Sequence, residues 1–193
     1  MPVTFRPVMG MKVINLKCIV AAFAAIVMYS LPVSADDAAV TLLDELRTAP
    51  EGEAARIERE IALIWGRSGS AAMDLLLKRG RDALRDEDVT TAIEHLTALT
   101  DHAPDFAEGW HARATAYYSA GLLGPALDDL QRALTLNPNN FNAIFGLGIM
   151  FQEFGDLARA ETAFRQVLAL HPHHENAKTA LDQLKRSGIG QTL

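Results

Sequence analysis

Cysteine is nearly absent from this chain of 193 residues: one thiol, Cys18, lies close to the N-terminus. Beyond it there is none. That excludes disulfides, a thiol nucleophile and a thiolate metal site from residue 19 onward. Stability there must come from packing. Other signatures are missing too. The sequence holds no His-Glu-x-x-His, no Gly-x-Ser-x-Gly and no phosphate-binding glycine loop. Its acids are scattered over what read as helix surfaces. These absences argue against a hydrolase, a nucleotide-binding enzyme or a zinc protease.

Long apolar runs are also scarce. The longest, Cys18 to Leu31, falls short of the roughly 20 residues that a spanning helix needs. Lys12 and Lys17 precede it, and Pro32-Val33-Ser34-Ala35 follows. A basic start, an apolar core and a small-x-small ending make an export signal, with cleavage expected after Ala35. Met9 or Met11 is the more ordinary start of such a signal. Cys18 precedes the apolar core, so it is not placed as a lipoprotein cysteine.

Basic residues are the minority. Losing Arg6, Lys12 and Lys17 with residues 1–35 leaves 15 of the 18 basic residues against all 24 acids. An acidic body disfavours nucleic acid and anionic lipid as partners, and no membrane role is expected after cleavage. With no disulfides and no Asn-x-Ser/Thr acceptor, the expected compartment is a bacterial periplasm.

What the chain does have is a period. Pro104, Pro138 and Pro172 are spaced by 34 residues, and three blocks align without gaps at 73–106, 107–140 and 141–174. Position four carries Leu76, Trp110 and Ile144. Position eight carries Gly80, Ala114 and Gly148. Position twenty is always alanine (Ala92, Ala126, Ala160), and position twenty-four carries Leu96, Leu130 and Phe164. Small residues let two helices approach closely while large ones fill the space around them. Proline closes each block, where no further helical N–H is wanted. First helices are expected over 73–86, 107–120 and 141–154, and second helices over 89–102, 123–136 and 157–170.

These residues resemble the tetratricopeptide repeat family over 73–174. The seventh position departs from the family pattern, with Arg79 and Arg113 where a large apolar residue is usual. Repeated ion pairing to Asp86, Asp128 or Asp129 is one reading of them; arginine stems lying over apolar surface, heads in water, is the favoured one. The expected fold is all-α: a right-handed superhelical stack of three hairpins. A helical hairpin and link at 36–72 is expected to cap its N-terminal end, with Val40, Leu43 and Leu46 on one stripe and Ile57, Ile61 and Ile64 on the other. A capping helix from Glu175, stopped at Gly188, precedes a loose tail in 175–193. Ser70 is placed to cap the first repeat.

The resemblance implies a binding protein, not an enzyme, whose concave surface is lined by first-helix positions. The candidate groove is Arg81, Arg85, His111, Thr115, Tyr118, Asn142, Phe145, Ile149 and Gln152. Arg81 and Arg85 are one turn apart and able to hold a carboxylate. The family clamp for acidic chaperone C-termini corresponds to Leu77, Arg81, Ala112, Asn142 and Gly146, so only a fragment of it is present. His171, His173 and His174 cluster around Pro172, but adjacent histidines do not readily converge on one ion, and an exposed polar turn is expected. No cofactor or metal is called for. The expected function is a periplasmic adaptor or scaffold that holds a protein or peptide segment. The alternative is a structural or assembly factor acting by self-association or through its outer surface. The sequence leaves the oligomeric state open.

Overall fold

The computed structural model describes residues 35–190, with side chains from 37 to 186. The expected export signal and the last three residues lie outside the described residues. Among the described residues the chain forms nine α-helices and no strand: α1 (Ala35–Thr48), α2 (Glu51–Trp65), α3 (Ala71–Arg85), α4 (Val89–His102), α5 (Ala107–Ser119), α6 (Leu123–Leu136), α7 (Phe141–Glu153), α8 (Leu157–Leu170) and α9 (Glu175–Gly190). None is long and apolar enough to cross a membrane.

Local chemistry explains three of the helix starts. Asp88, Asn140 and Asp156 each accept the backbone N–H three residues on and so cap α4, α7 and α8. Ser70 occupies the cap position of α3 but makes no side-chain capping bond. Ser68 instead ties the link to α3, its N–H and hydroxyl both donating to Asp74 at 2.8 and 2.6 Å. Gly188 does not stop the last helix, which runs on to Gly190.

Each hairpin closes on its small residues. A methyl at Gly148 would stand 2.5 Å from the Phe164 ring, and one at Gly80 only 2.4 Å from Leu96. Both partners are fully buried. Between the two helices the fifteenth position turns through left-handed backbone, at Glu87 (φ 62°), Gly121 (74°) and Gly155 (76°).

Stacking uses a second set of positions: three, six and ten. These are Gly109, Ala112 and Ala116 in repeat two, then Ala143, Gly146 and Met150 in repeat three, and then Ala177, Ala180 and Leu184 in α9. Ala112 and Ala116 pack with the core of repeat one, and Ala143 and Met150 with that of repeat two. By this register α9 stands as the first helix of a fourth repeat. Repeat one carries Leu75, Lys78 and Asp82 there. Leu75 is 46% exposed, and Lys78 and Asp82 are paired on the surface. Its leading face is already solvated and requires no cap.

The N-terminal hairpin accordingly does not sit on that face, in contrast to the expectation. It packs instead against the third repeat. Leu43, Leu46, Ala54, Ile57 and Ile61 share a core with Phe141, Ile144, Ala163, Val167, Leu170 and Ala177. The hairpin runs along the edge formed by the inter-repeat turns, from residues 105–108 and 136–139 at one end to 171–176 at the other. The α1 stripe is Ala39, Leu43 and Leu46, while Val40 is half exposed. The helices dock where large apolar surface was left open. On repeat one's leading face they would bury lysine and aspartate.

Candidate functional site

The concave side of the stack holds an open cavity of about 350 Å³ between α5 and α7. His111, Thr115 and Tyr118 line it from α5, and Asn142, Phe145, Gly146, Ile149 and Met150 from α7. Ala114, Ala126 and Leu130 form its floor. No residue of the N-terminal hairpin is among these. The small side chains at Ala114, which closes its hairpin, and Gly146, which serves the stacking, are also what leave the space.

A second depression of about 300 Å³ continues the groove between α7 and α9. Tyr118, Phe145, Ile149 and Gln152 border it, joined by Asn176, Thr179 and Gln183. Those three are positions two, five and nine in the frame of the fourth repeat. Projecting the 34-residue frame past residue 174 finds them.

Phe145 and Ile149 are half-buried. Phe145 packs at a tilt against Phe164 (ring centroids 5.5 Å apart) and against His174 (5.2 Å), and α9 covers the flank of Phe145 and Ile149. Their remaining surface faces the groove. At the rim the Tyr118 hydroxyl reaches Glu153 at 3.4 Å. Partial burial, together with the Glu153 charge, pushes the phenol upward in pKa.

Arg81 and Arg85 lie outside both depressions and do not converge. Arg81 is bound to Glu108, and Arg85 lies on the surface beside Asp82 at 3.0 Å. Glu108 is the centre of a network whose hub the sequence did not single out. Its Oε1 also contacts His111 Nδ1 at 3.2 Å, and its Oε2 accepts Asn140 Nδ2–H at 3.1 Å. Asn140 in turn caps α7 through Ala143 N–H. Burial works against the Glu108 charge, but His111, Arg81 and Asn140 outweigh it and hold the carboxyl below its ordinary range. One buried acid thereby joins repeat one, repeat two and the start of repeat three beside the cavity wall. Glu108 and Asn140 are each unremarkable in sequence; only their meeting across 32 residues makes the network.

The two seventh-position arginines part ways. Arg113 forms a buried pair with Asp129, the ion-pair reading and not the favoured one. Arg79 is exposed. Its counterpart of Asp129, one hairpin earlier, is His95. The histidine turn is likewise not an exposed loop: His171 and His174 are buried against the N-terminal hairpin. Among the described residues no cluster of histidine, cysteine or carboxylate is arranged to hold a metal ion.

Comparison with known proteins agrees with this geometry. Family models described as tetratricopeptide repeat match residues 77–141 and 142–174. A tetratricopeptide repeat-containing protein of Rhizobium etli is 27% identical over 72% of this chain and 68% of its own. The human protein SGT1 homolog is 35% identical over 42% of this chain and 22% of its own length. Among solved structures, the first tetratricopeptide domain of Spaghetti (RPAP3), bound to the HSP90 peptide SRMEEVD, superposes with a TM-score of 0.59 at 22% identity. It covers 62% of this chain and 95% of that one. Domains of this kind are protein–protein interaction modules. Three gapless repeats, their stacking register and these matches together place the chain in the tetratricopeptide repeat family.

Proposed function

We propose that this protein is an exported, periplasmic and non-enzymatic adaptor that holds a segment of another protein in its concave groove. The observation that carries the reading is the cavity between α5 and α7. It pairs a half-buried apolar wall, Phe145 and Ile149, with hydrogen-bonding groups at His111, Thr115, Tyr118 and Asn142. A partner side chain seated there removes apolar surface from water, while the polar groups orient its backbone.

The Spaghetti domain shares the fold and holds a peptide ending in acids. This chain is differently equipped at the positions that the family uses for such ends. Leu77 is buried and Arg81 is already bound to Glu108. The partner segment is therefore anchored by an apolar side chain, not by its carboxylates. The acidic balance of the chain, with no basic stripe along the groove, is consistent with a protein partner and not with nucleic acid.

Affinity capture from a periplasmic extract tests this. Phe145→Ala is expected to weaken capture of the partner at least about tenfold, the range of a hot-spot truncation, with helicity unchanged by circular dichroism. Undiminished capture by Phe145→Ala and by Tyr118→Ala would remove the groove from consideration. Cell fractionation with N-terminal sequencing tests export separately: a periplasmic product beginning at Asp36 is expected.

A further inference from the structure

The turns after repeats two and three are built on one plan, and only the second can titrate. One reads Asn137-Pro138-Asn139-Asn140, the other His171-Pro172-His173-His174. Their backbones match: Asn140 N–H donates to the Asn137 carbonyl at 3.2 Å, and His174 N–H to the His171 carbonyl at 3.1 Å. Their caps match as well. Asn140 Oδ1 accepts Ala143 N–H at 3.0 Å, and His174 Nδ1 accepts Ala177 N–H at 3.2 Å. An amide oxygen accepts at any pH, whereas an imidazole nitrogen accepts only while it is unprotonated.

The histidine turn is the one on which the N-terminal hairpin docks. His171 Nε2 lies 3.4 Å from Glu58 Oε2 of α2, and its Nδ1 is buried without a hydrogen-bond partner. His173 Nε2 lies 3.0 Å from the Ala49 carbonyl. The His174 ring stands 5.4 Å from that of His171 and packs on Phe141 and Phe145. The charged groups around it are few. From α2 come Glu58 and Glu51, with Arg59 acting on Glu58; Glu175 comes from α9. Apart from these, α7 presents the Phe141 and Phe145 rings, and α8 contributes apolar Val167 and Leu170 to the same core.

We infer that the N-terminal hairpin is an acid-weakened latch, held on repeat three while the His174 ring is neutral and loosened when that ring gains a proton. Protonation of His174 removes the acceptor that caps α9 and sets a charge beside the His171 ring in a largely apolar interface. Burial, with the nearby His171, already holds His174 below the ordinary imidazole value of 6.5. Its contribution to docking is complete above that value and declines as the pH falls below it. Glu58 acts in the same direction. Its hydrogen bond to His171 outweighs burial and keeps the carboxyl below its ordinary 4.5, so that contribution is present above 4.5 and fades beneath. The contact of His174 with Phe145 links the latch to the groove wall.

Amide hydrogen exchange of the protein at pH 7.5 and 5.0, corrected for intrinsic rates, tests the latch without any partner. Protection of α1 and α2 is expected to be lost at pH 5.0 while that of α5 and α6 is kept. His174→Asn restores the cap that Asn140 makes and removes the titration, so it should shrink the acid response. The triple change His171→Asn, His173→Asn, His174→Asn should abolish it. An unchanged hairpin in the wild type at pH 5.0, or an equal loss in the wild type and in His174→Asn, would overturn the latch. Both outcomes are read without a partner, so the latch can fail while the groove stands.

Discussion

Arg113 and Asp129 form a two-point ion pair inside the second hairpin. Nε donates to Oδ2 at 2.7 Å and Nη2 to Oδ1 at 2.9 Å. Both side chains are nearly sealed, at 12% and 7% exposure. The guanidinium also lies 4.9 Å from the Trp110 ring centroid and 5.4 Å from that of Tyr117. Repeat three places Leu147 and Ala163 at the same two positions. The pair is thus one of two compatible fillings of the same site. Asp129→Ala should leave a buried, unpaired guanidinium and cost about 3 kcal/mol. Adding Arg113→Leu, which copies repeat three, should recover most of that loss in urea denaturation. A double variant no more stable than the single one would refute the pairing.

Close approach in the third hairpin depends on Gly148. An added methyl would meet the Phe164 ring at 2.5 Å, and that ring is fully buried with no room to withdraw. Gly148→Ala should destabilise the protein by about 1–3 kcal/mol. Gly52, in the first turn of α2, whose added methyl meets nothing within 4 Å, is the control: Gly52→Ala should be neutral or slightly stabilising. Paired thermal melts distinguish the two.

Glu87 holds a left-handed backbone, φ 62°, where the next two repeats use Gly121 and Gly155. A side chain in that region is strained, and glycine relieves it at some cost in unfolded-chain entropy. Glu87→Gly should raise stability by about 0.5–1 kcal/mol, seen as a higher urea midpoint with unchanged slope.

Acid should unpick the Glu108 network. Its folded pKa lies below the ordinary 4.5 although burial opposes the charge, because His111, Arg81 and Asn140 favour the ionised form. The stability it contributes is therefore present above 4.5 and is lost as the pH falls through the lower folded value. Glu108→Gln should cost about 2 kcal/mol at pH 7 and flatten the acid limb of the stability curve. Urea melts between pH 3 and 7 check both. A variant whose acid limb matches the wild type would show that Glu108 is not the responsible carboxyl.

Much of the molecule was legible in one dimension. The period places six repeat helices, and small residues at positions eight and twenty with large ones around them predict the close approach; that Gly148 meets the Phe164 ring is added by the structure. The groove was partly legible. His111, Thr115, Tyr118, Asn142, Phe145 and Ile149 meet at one cavity, with Gln152 in the depression beside it. Arg81 and Arg85 do not join them, because each is already paired, Arg81 with Glu108 and Arg85 with Asp82. Arg113 was legible only in company: without Asp129 beneath it, the residue reads like Arg79.

The repeat length and the close packing of each hairpin are properties of neighbours in sequence. Periodic apolar and small residues decide them before any distant contact forms, so the 34-residue spacing was enough. The seat of the N-terminal hairpin, the Glu108 network and the burial of the histidine turn are decided otherwise. Each joins groups far apart in the chain, 113 residues apart for His171 and Glu58. A helical stripe states that it must be buried, but not against what. Only the folded stack, with repeat one polar at its leading face and repeat three apolar along its edge, makes that choice.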